Sequence, residues 1–428
     1  MKVLILILSL VSYSALAQLP NLPLPEDLVQ WQQQALDRNP DLQAKQQAVL
    51  QAQKQVQVQQ GKQGAKVVLK SELGVASMKQ DFSRTANQLV VTYPLYAPHL
   101  SEQEKAAEAA TQVRHWQQQA AAKRLALQVG LNFVQLLKQQ EQVRFTERQL
   151  RAMQDIKQQL QARYQVGMTQ LNDIAEVASR IALMQSSQLQ AKQQVQTFWQ
   201  KLVAQSNGSF EQTFDPKQLP LATPQSIQQN EQQLKKFLKF CQNSQSCQHE
   251  SLNQHPEIQA LQQQLVQLQR QQQAVKHRYG AKLNAVGALV YNNSGGRYYD
   301  DMQGAKAALQ LELPLYQSGE DQAAVAAVQV QQQRVRQQIA QVRLNLQQQW
   351  ETAVSGLRSL SKQLPALQAS VQAAQQALKA TEAGLRTGER TILDVLNAQK
   401  DLDQRVKNLN IAQYEVWRYA LNLKYLIG

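Results

Sequence analysis

The residues able to do chemistry are few and scattered. Cys241 and Cys247 are the only cysteines, and the five histidines are spread along a chain of 428 residues. Two thiols closing a small loop suit a disulfide in an oxidising compartment, which is the simple reading. Cys247, His249 and His255 as metal ligands is the other, although their spacing matches no standard zinc pattern. The chain has no P-loop, no nucleophile elbow and no clustered carboxylates, so nothing supplies a catalytic site, and no cofactor is expected. The net charge of +14 raises nucleic acid as a partner. Lysine and arginine, however, are dispersed among glutamines rather than aromatics, and no nucleic-acid motif occurs. A solvated basic surface is the better account.

With so little chemistry on offer, function must come from architecture. Lys2, the apolar run Val3 to Val11 and Ala15-Leu16-Ala17 have the order of a signal peptide over 1–17, with the mature chain starting at Gln18. No later stretch reaches about 18 apolar residues, so no transmembrane helix is expected. A secreted chain of this kind either stays in water or crosses a membrane as a β-barrel.

The chain also reads as an internal duplication. Asn39-Pro40-Asp41-Leu42 is matched by His255-Pro256-Glu257-Ile258, and Tyr93-Pro94-Leu95-Tyr96 by Leu313-Pro314-Leu315-Tyr316. Gly167 with Asp173 is matched by Gly388 with Asp394. The offsets are 216, 220 and 221 residues, in the same order. Each half predicts a helix, two strands, a long helix, a tip turn and a helix. The first repeat is 18–204, with strands at about 65–77 and 86–96 and a tip near 167. The second is 254–428, with strands at about 281–292 and 303–316 and a tip near 388. Residues 205–253, with Pro216, Pro220 and Pro224, form a connector.

The strands alternate. Val67, Leu69, Leu73 and Val75 oppose Lys66, Lys70 and Glu72, while Leu89, Val91, Tyr93 and Leu95 oppose Gln88 and Thr92. In the second repeat Leu283, Ala285, Gly287, Leu289 and Tyr291 share one face, as do Ala305, Ala307, Leu309 and Leu311. Period two with one apolar face is a strand signature. Runs of this length suit a tilted transmembrane strand of about 9 to 11 residues, apolar outward and polar inward. A soluble sheet packed on a helix alternates in the same way. Four strands cannot close a barrel, and lipid forbids open edges, so the subunit must oligomerise. Two copies give a barrel filled by its own side chains; three give about twelve strands and leave room for a passage.

From Pro98 to Gly167 no proline interrupts, which predicts a helix of about 65 residues, roughly 100 Å long at 1.5 Å per residue. Residues 320–383 match it, with Pro365 as the one interruption. Leu364, Leu367, Val371, Ala374, Leu378, Thr381 and Leu385 alternate three and four apart, and Leu150, Met153, Ile156, Leu160 and Tyr164 nearly so, as in coiled coils. The fold class is therefore mainly α with transmembrane β: a trimeric 12-stranded barrel, four strands per subunit, continuous with a long α-helical coiled-coil barrel.

Over essentially the whole mature chain these features resemble the TolC-like outer-membrane efflux and secretion proteins. The Asn-Pro helix start is the weakest mark. Tyr93-Pro94-Leu95-Tyr96 and Leu313 to Gly319 are more specific. Gly388-Glu389-Arg390-Thr391-Ile392-Leu393-Asp394-Val395-Leu396-Asn397-Ala398-Gln399 is the strongest, being similar to the turn and inner helix at the family's periplasmic entrance. The resemblance implies a homotrimer in outer-membrane lipid, its helical part in the periplasm, working with a periplasmic adaptor and an inner-membrane pump of RND or ABC type. It implies a passive export duct for efflux or type I secretion. Asp394 resembles the acidic ring that narrows the periplasmic aperture; a second acidic position is Asn397 here, which weakens the ring. Arg390 resembles a residue closing the entrance through links to the neighbouring coil, with Asn172 and Asp173 as partners. The tyrosine beside that link is Leu385 here. Arg163, Val166, Gly167 and Met168, with Gly388 at the other tip, match the surface that meets the adaptor. The rival readings are a secreted coiled-coil structural protein or the adaptor itself. An adaptor carries a compact β-rich domain at the base of its hairpin, which this sequence lacks.

Overall fold

The structure, a computed structural model, describes residues 26–77, 81–167, 170–208, 251–294 and 302–427. The expected signal peptide at 1–17, Met168, most of the 205–253 connector, and with it Cys241, Cys247 and His249, lie outside the described residues.

Helix α1 (Glu26–Arg38) is followed by α2 (Pro40–Gly61), strands β1 (Lys66–Ser77) and β2 (Asp81–Tyr96), and helices α3 (Pro98–Gln165) and α4 (Leu171–Gln205). After these come α5 (Pro256–Arg278), β3 (Lys282–Ser294), β4 (Met302–Glu312), α6 (Glu320–Thr387) and α7 (Ile392–Ile427). Local sequence explains the starts. Proline opens α2, α3 and α5, at the one helical position where its missing N–H costs nothing. Before α2, the Asn39 side-chain oxygen accepts the Leu42 N–H at 3.1 Å, a side-chain cap. Helices α3 and α6 each run for 68 residues, and α6 continues through Pro365. Their Ala, Gln, Leu and Arg content is that of strong helix formers. Among the described residues no helix is long and apolar enough to cross a membrane.

The chain divides into two compact units. One gathers Ala44–Ala120 and Pro256–Leu344 and holds a four-stranded antiparallel sheet in the order β1-β2-β3-β4. Its register brings the apolar positions of all four strands onto one face. Leu69 pairs with Leu89, Leu89 with Leu289 and Leu289 with Ala305. Likewise Val67 pairs with Val91, and Tyr93 with Ala285, which pairs with Leu309. Residues directly opposite each other share a face. This face is open: Leu69, Leu73, Leu309 and Leu311 are 69%, 80%, 70% and 67% exposed. The other face is mixed, with Lys70, Gln88, Asn284, Lys306 and Gln310 beside Val68, Val90 and Val286. An ion pair of 3.3 Å joins Lys282 to Glu312 at the end of the β3–β4 ladder.

Two strand ends differ from the sequence expectation. Strand β2 begins at Asp81, inside the stretch expected to be a link. Residues 82–85 pair with 73–76 although they do not alternate, because the ladder bonds main chain to main chain. Strand β4 stops at Glu312 rather than near 316, two residues before Pro314, whereas β2 carries Pro94 through a bulge and runs on to Tyr96.

The other unit gathers the described residues of Met1–Gln43, Ala121–His255 and Asn345–Gly428. Its core joins α1, α3, α4 and α7 through Leu28, Trp31, Phe133, Leu136, Trp199, Leu202, Tyr414 and Leu421. Trp31 meets Phe133 edge-on at 5.2 Å between ring centroids. Each fully buried side chain of this size contributes about 1.5–3 kcal/mol. Arg148 of α3 lies 3.4 Å from the buried Glu141 and 3.3 Å from the buried Asp403 of α7, so a charged contact pins these two helices in register. A smaller apolar cluster of Met153, Ile156, Val177, Ile181 and Leu396 ties α3, α4 and the start of α7 together, with Leu150 and Leu160 packed against it.

Candidate functional site

The sequence places its candidate residues at two helix-to-helix turns, both in this second unit. The α6–α7 turn can be followed atom by atom. Helix α6 ends in a Schellman motif: the Glu389 N–H bonds the Gly384 carbonyl at 2.8 Å and the Gly388 N–H bonds the Leu385 carbonyl at 3.3 Å. That geometry needs a left-handed residue, and Gly388 supplies it with φ of +82°. The Arg390 N–H also bonds the Gly384 carbonyl, at 3.1 Å.

Helix α7 then starts with a reciprocal cap. The Thr391 backbone N–H and its hydroxyl both donate to Asp394 Oδ2 at 2.8 Å, and the Asp394 N–H donates to Thr391 Oγ1 at 3.1 Å. The Thr391 N–H first, its hydroxyl second, and the nearby Arg390 charge in lesser part hold the Asp394 carboxyl below its ordinary pKa. Asp394 is therefore an anion fixed in place, while Asn397 and Arg390 are exposed.

The α3–α4 turn uses a similar scaffold. Gly167 has φ of +73°, and its N–H bonds the Tyr164 carbonyl at 3.0 Å. The Gln170 N–H donates to Asp173 Oδ2 at 3.4 Å. Arg163, Val166, Asn172 and Asp173 are all exposed there. The structure thus sets Asp394 and Arg390 together on one turn, and Asn172 with Asp173 on the first turn of α4.

Sequence reasoning passed over two residues. Thr391 had a readable signal, since Thr-Ile-Leu-Asp fits the S/T-x-x-D/E capping pattern. Gly384 had none beyond being a glycine near a helix end. Away from the turns, His255 is buried with its ring edge-on to Tyr425 at 5.0 Å. Among the described residues no group of three His, Cys, Asp or Glu side chains gathers as metal ligands.

A family model described as outer membrane efflux protein matches residues 31–208 and 248–428. The chain is 32% identical over 132 residues to the outer membrane protein TolC of Salmonella enteritidis, a stretch covering 30% of this chain and 27% of that protein. It is 32% identical over 124 residues to the proteases secretion protein PrtF of Dickeya chrysanthemi, covering 28% of this chain and 26% of that one. Each of these matches thus spans little more than a quarter of the relative's length. The fold matches that of a membrane protein from Pseudomonas aeruginosa with a TM-score of 0.77 and 15% identity over 94% of both chains.

Proposed function

The chain belongs to the outer membrane efflux protein family, and on that premise we propose that it is the outer-membrane channel of a tripartite efflux or type I secretion system. The observation that carries this reading is the open apolar face of the sheet. Leucines 67% to 80% exposed on the two outer strands β1 and β4, with Leu289 of β3 57% exposed on the same face, form a surface that a water-soluble monomer rarely leaves uncovered. Lipid would cover it, with the other face turned to a water-filled lumen. Strands β1 and β4 lie at the ends of the strand order, and three copies would join these edges into a barrel of about twelve strands. The twice-repeated element order supports an internal duplication.

The helices would form the periplasmic part. In this reading three copies of Asp394 narrow its aperture, and their fixed negative charge attracts cations and repels anions. Arg390 closes the entrance through Asn172 and Asp173 of a neighbouring coil. The tip surfaces around Arg163, Val166, Met168, Gly167 and Gly388 meet a periplasmic adaptor, which links the channel to an inner-membrane pump. The channel itself is passive, not an enzyme, and needs no cofactor. The likeness to a protein named for secreting proteases supports secretion beside efflux. The test is the mass of the detergent-extracted protein by light scattering, corrected for bound detergent. A trimer from the outer-membrane fraction is expected. A water-soluble monomer or dimer would replace this reading with a coiled-coil rod or an adaptor.

A further inference from the structure

We infer that Gly384 is a positioning residue for Arg390: its missing side chain is the shelf along which the arginine stem runs, and so decides where the guanidinium points. The inference rests on the reading of Arg390 as an entrance-closing link. Gly384 lies in the last turn of α6 and does not have a positive φ. At such a position alanine is the better helix former, so the backbone gives no reason for glycine.

The surroundings do. A Cβ built on Gly384 would lie 2.7 Å from Arg390 Cγ and 3.5 Å from Arg390 Cβ, against an optimum of about 3.5–4.0 Å between carbons. Cγ is too near the main chain to yield without swinging the whole arginine to another rotamer. The backbone next to it cannot follow, because the Gly384 carbonyl accepts the N–H groups of Glu389 and Arg390 and the Thr387 hydroxyl, at 2.8, 3.1 and 3.1 Å. One residue therefore holds Arg390 by its main chain and clears the path of its stem. At the same offset of 221 residues the sequence has Arg163 for Gly384 and Thr169 for Arg390, so the glycine–arginine pair is not repeated in the first half.

The experiment is single-channel conductance of the full chain in planar bilayers for Gly384→Ala, Arg390→Ser and the double variant. Alanine keeps α6 helical, so Gly384→Ala is expected to assemble normally. Gly384→Ala should raise conductance by the same factor as Arg390→Ser, and the double variant should rise no further. Wild-type conductance in Gly384→Ala overturns the inference. So does a double variant in which the two factors multiply, since the glycine would then act independently of the arginine. If Arg390→Ser alone leaves conductance unchanged, the entrance-link reading itself fails and the inference falls with it, a result visible without touching Gly384.

Discussion

At the first tip α3 turns into α4 through Gly167, with φ of +73°; at the second α6 turns into α7 through Gly388, with φ of +82°. Six residues beyond each glycine an aspartate reaches back to the residue that starts the helix. Both helix starts form a capping box, and what differs is the partner that holds the aspartate. Gln170 offers Asp173 a backbone N–H at 3.4 Å, whereas Thr391 offers Asp394 a backbone N–H and a hydroxyl, both at 2.8 Å. A threonine hydroxyl sits on Cβ and meets the neighbouring carboxylate at once, while the glutamine amide sits two carbons farther out. One turn geometry thus carries an acid capped by Gln170 at the first tip and one capped through shorter bonds by Thr391 at the second. The same second tip carries Gly384 and Arg390. Similar scaffolds are thus decorated by different residues.

The shared part of this comparison is tested by the largest expected effect. Valine in place of Gly388 must adopt a left-handed backbone at a cost of about 1–2 kcal/mol, more for a β-branched side chain. Hydrogen exchange of the Glu389 and Arg390 amides should quicken, about tenfold for each 1.4 kcal/mol. Gly167→Val should loosen its own tip to a like extent; a response at one tip only would break the geometric equivalence.

The difference is tested next. Thr391→Val removes a cap worth about 1 kcal/mol and should speed exchange of the Asp394 amide about fivefold. Gln170→Val should change exchange at Asp173 much less. Equal responses would mean that the two caps hold equally and that the contrast is only one of distances.

The smallest effect concerns charge at carboxylates in reach of solvent, which salt screens. Asp394→Ala should weaken block by multivalent cations in planar bilayers while Asp173→Ala leaves it; unchanged block in Asp394→Ala would put the constriction elsewhere. The Asp394 carboxyl is held below its ordinary pKa by the Thr391 N–H and hydroxyl. Its charge should therefore persist as pH falls through the ordinary carboxylate range, while the stability that ionisation lends the cap is full above that range and declines progressively as pH falls toward the lowered pKa. Thr391→Val should move the loss of charge to higher pH.

Much of this was legible along the chain. The alternation of Leu69, Leu89, Leu289 and Leu309 announced strands, because side chains on a strand repeat every two residues and one face must differ from the other. The proline-free run after Pro98 announced a long helix. Other features were not legible. Residues 82–85 join β2 without alternating, since their place comes from main-chain partners on β1. Gly384 reads in the sequence only as a poor helix former, because the atom that explains it belongs to a residue six positions later, folded back by the turn.

The sequence by itself determined the kinds of element, the faces of the strands and the glycines at which the long helices reverse, since each depends on neighbours within a few residues. Only the tertiary structure decided which strand faces aligned into one open apolar surface. It alone showed that Arg148 reaches the buried carboxylates Glu141 and Asp403 and joins α3 to α7, and that Arg390 lies across Gly384. The reason is physical: periodicity and capping are local, whereas register, burial and close approach depend on atoms that only the folded chain brings together.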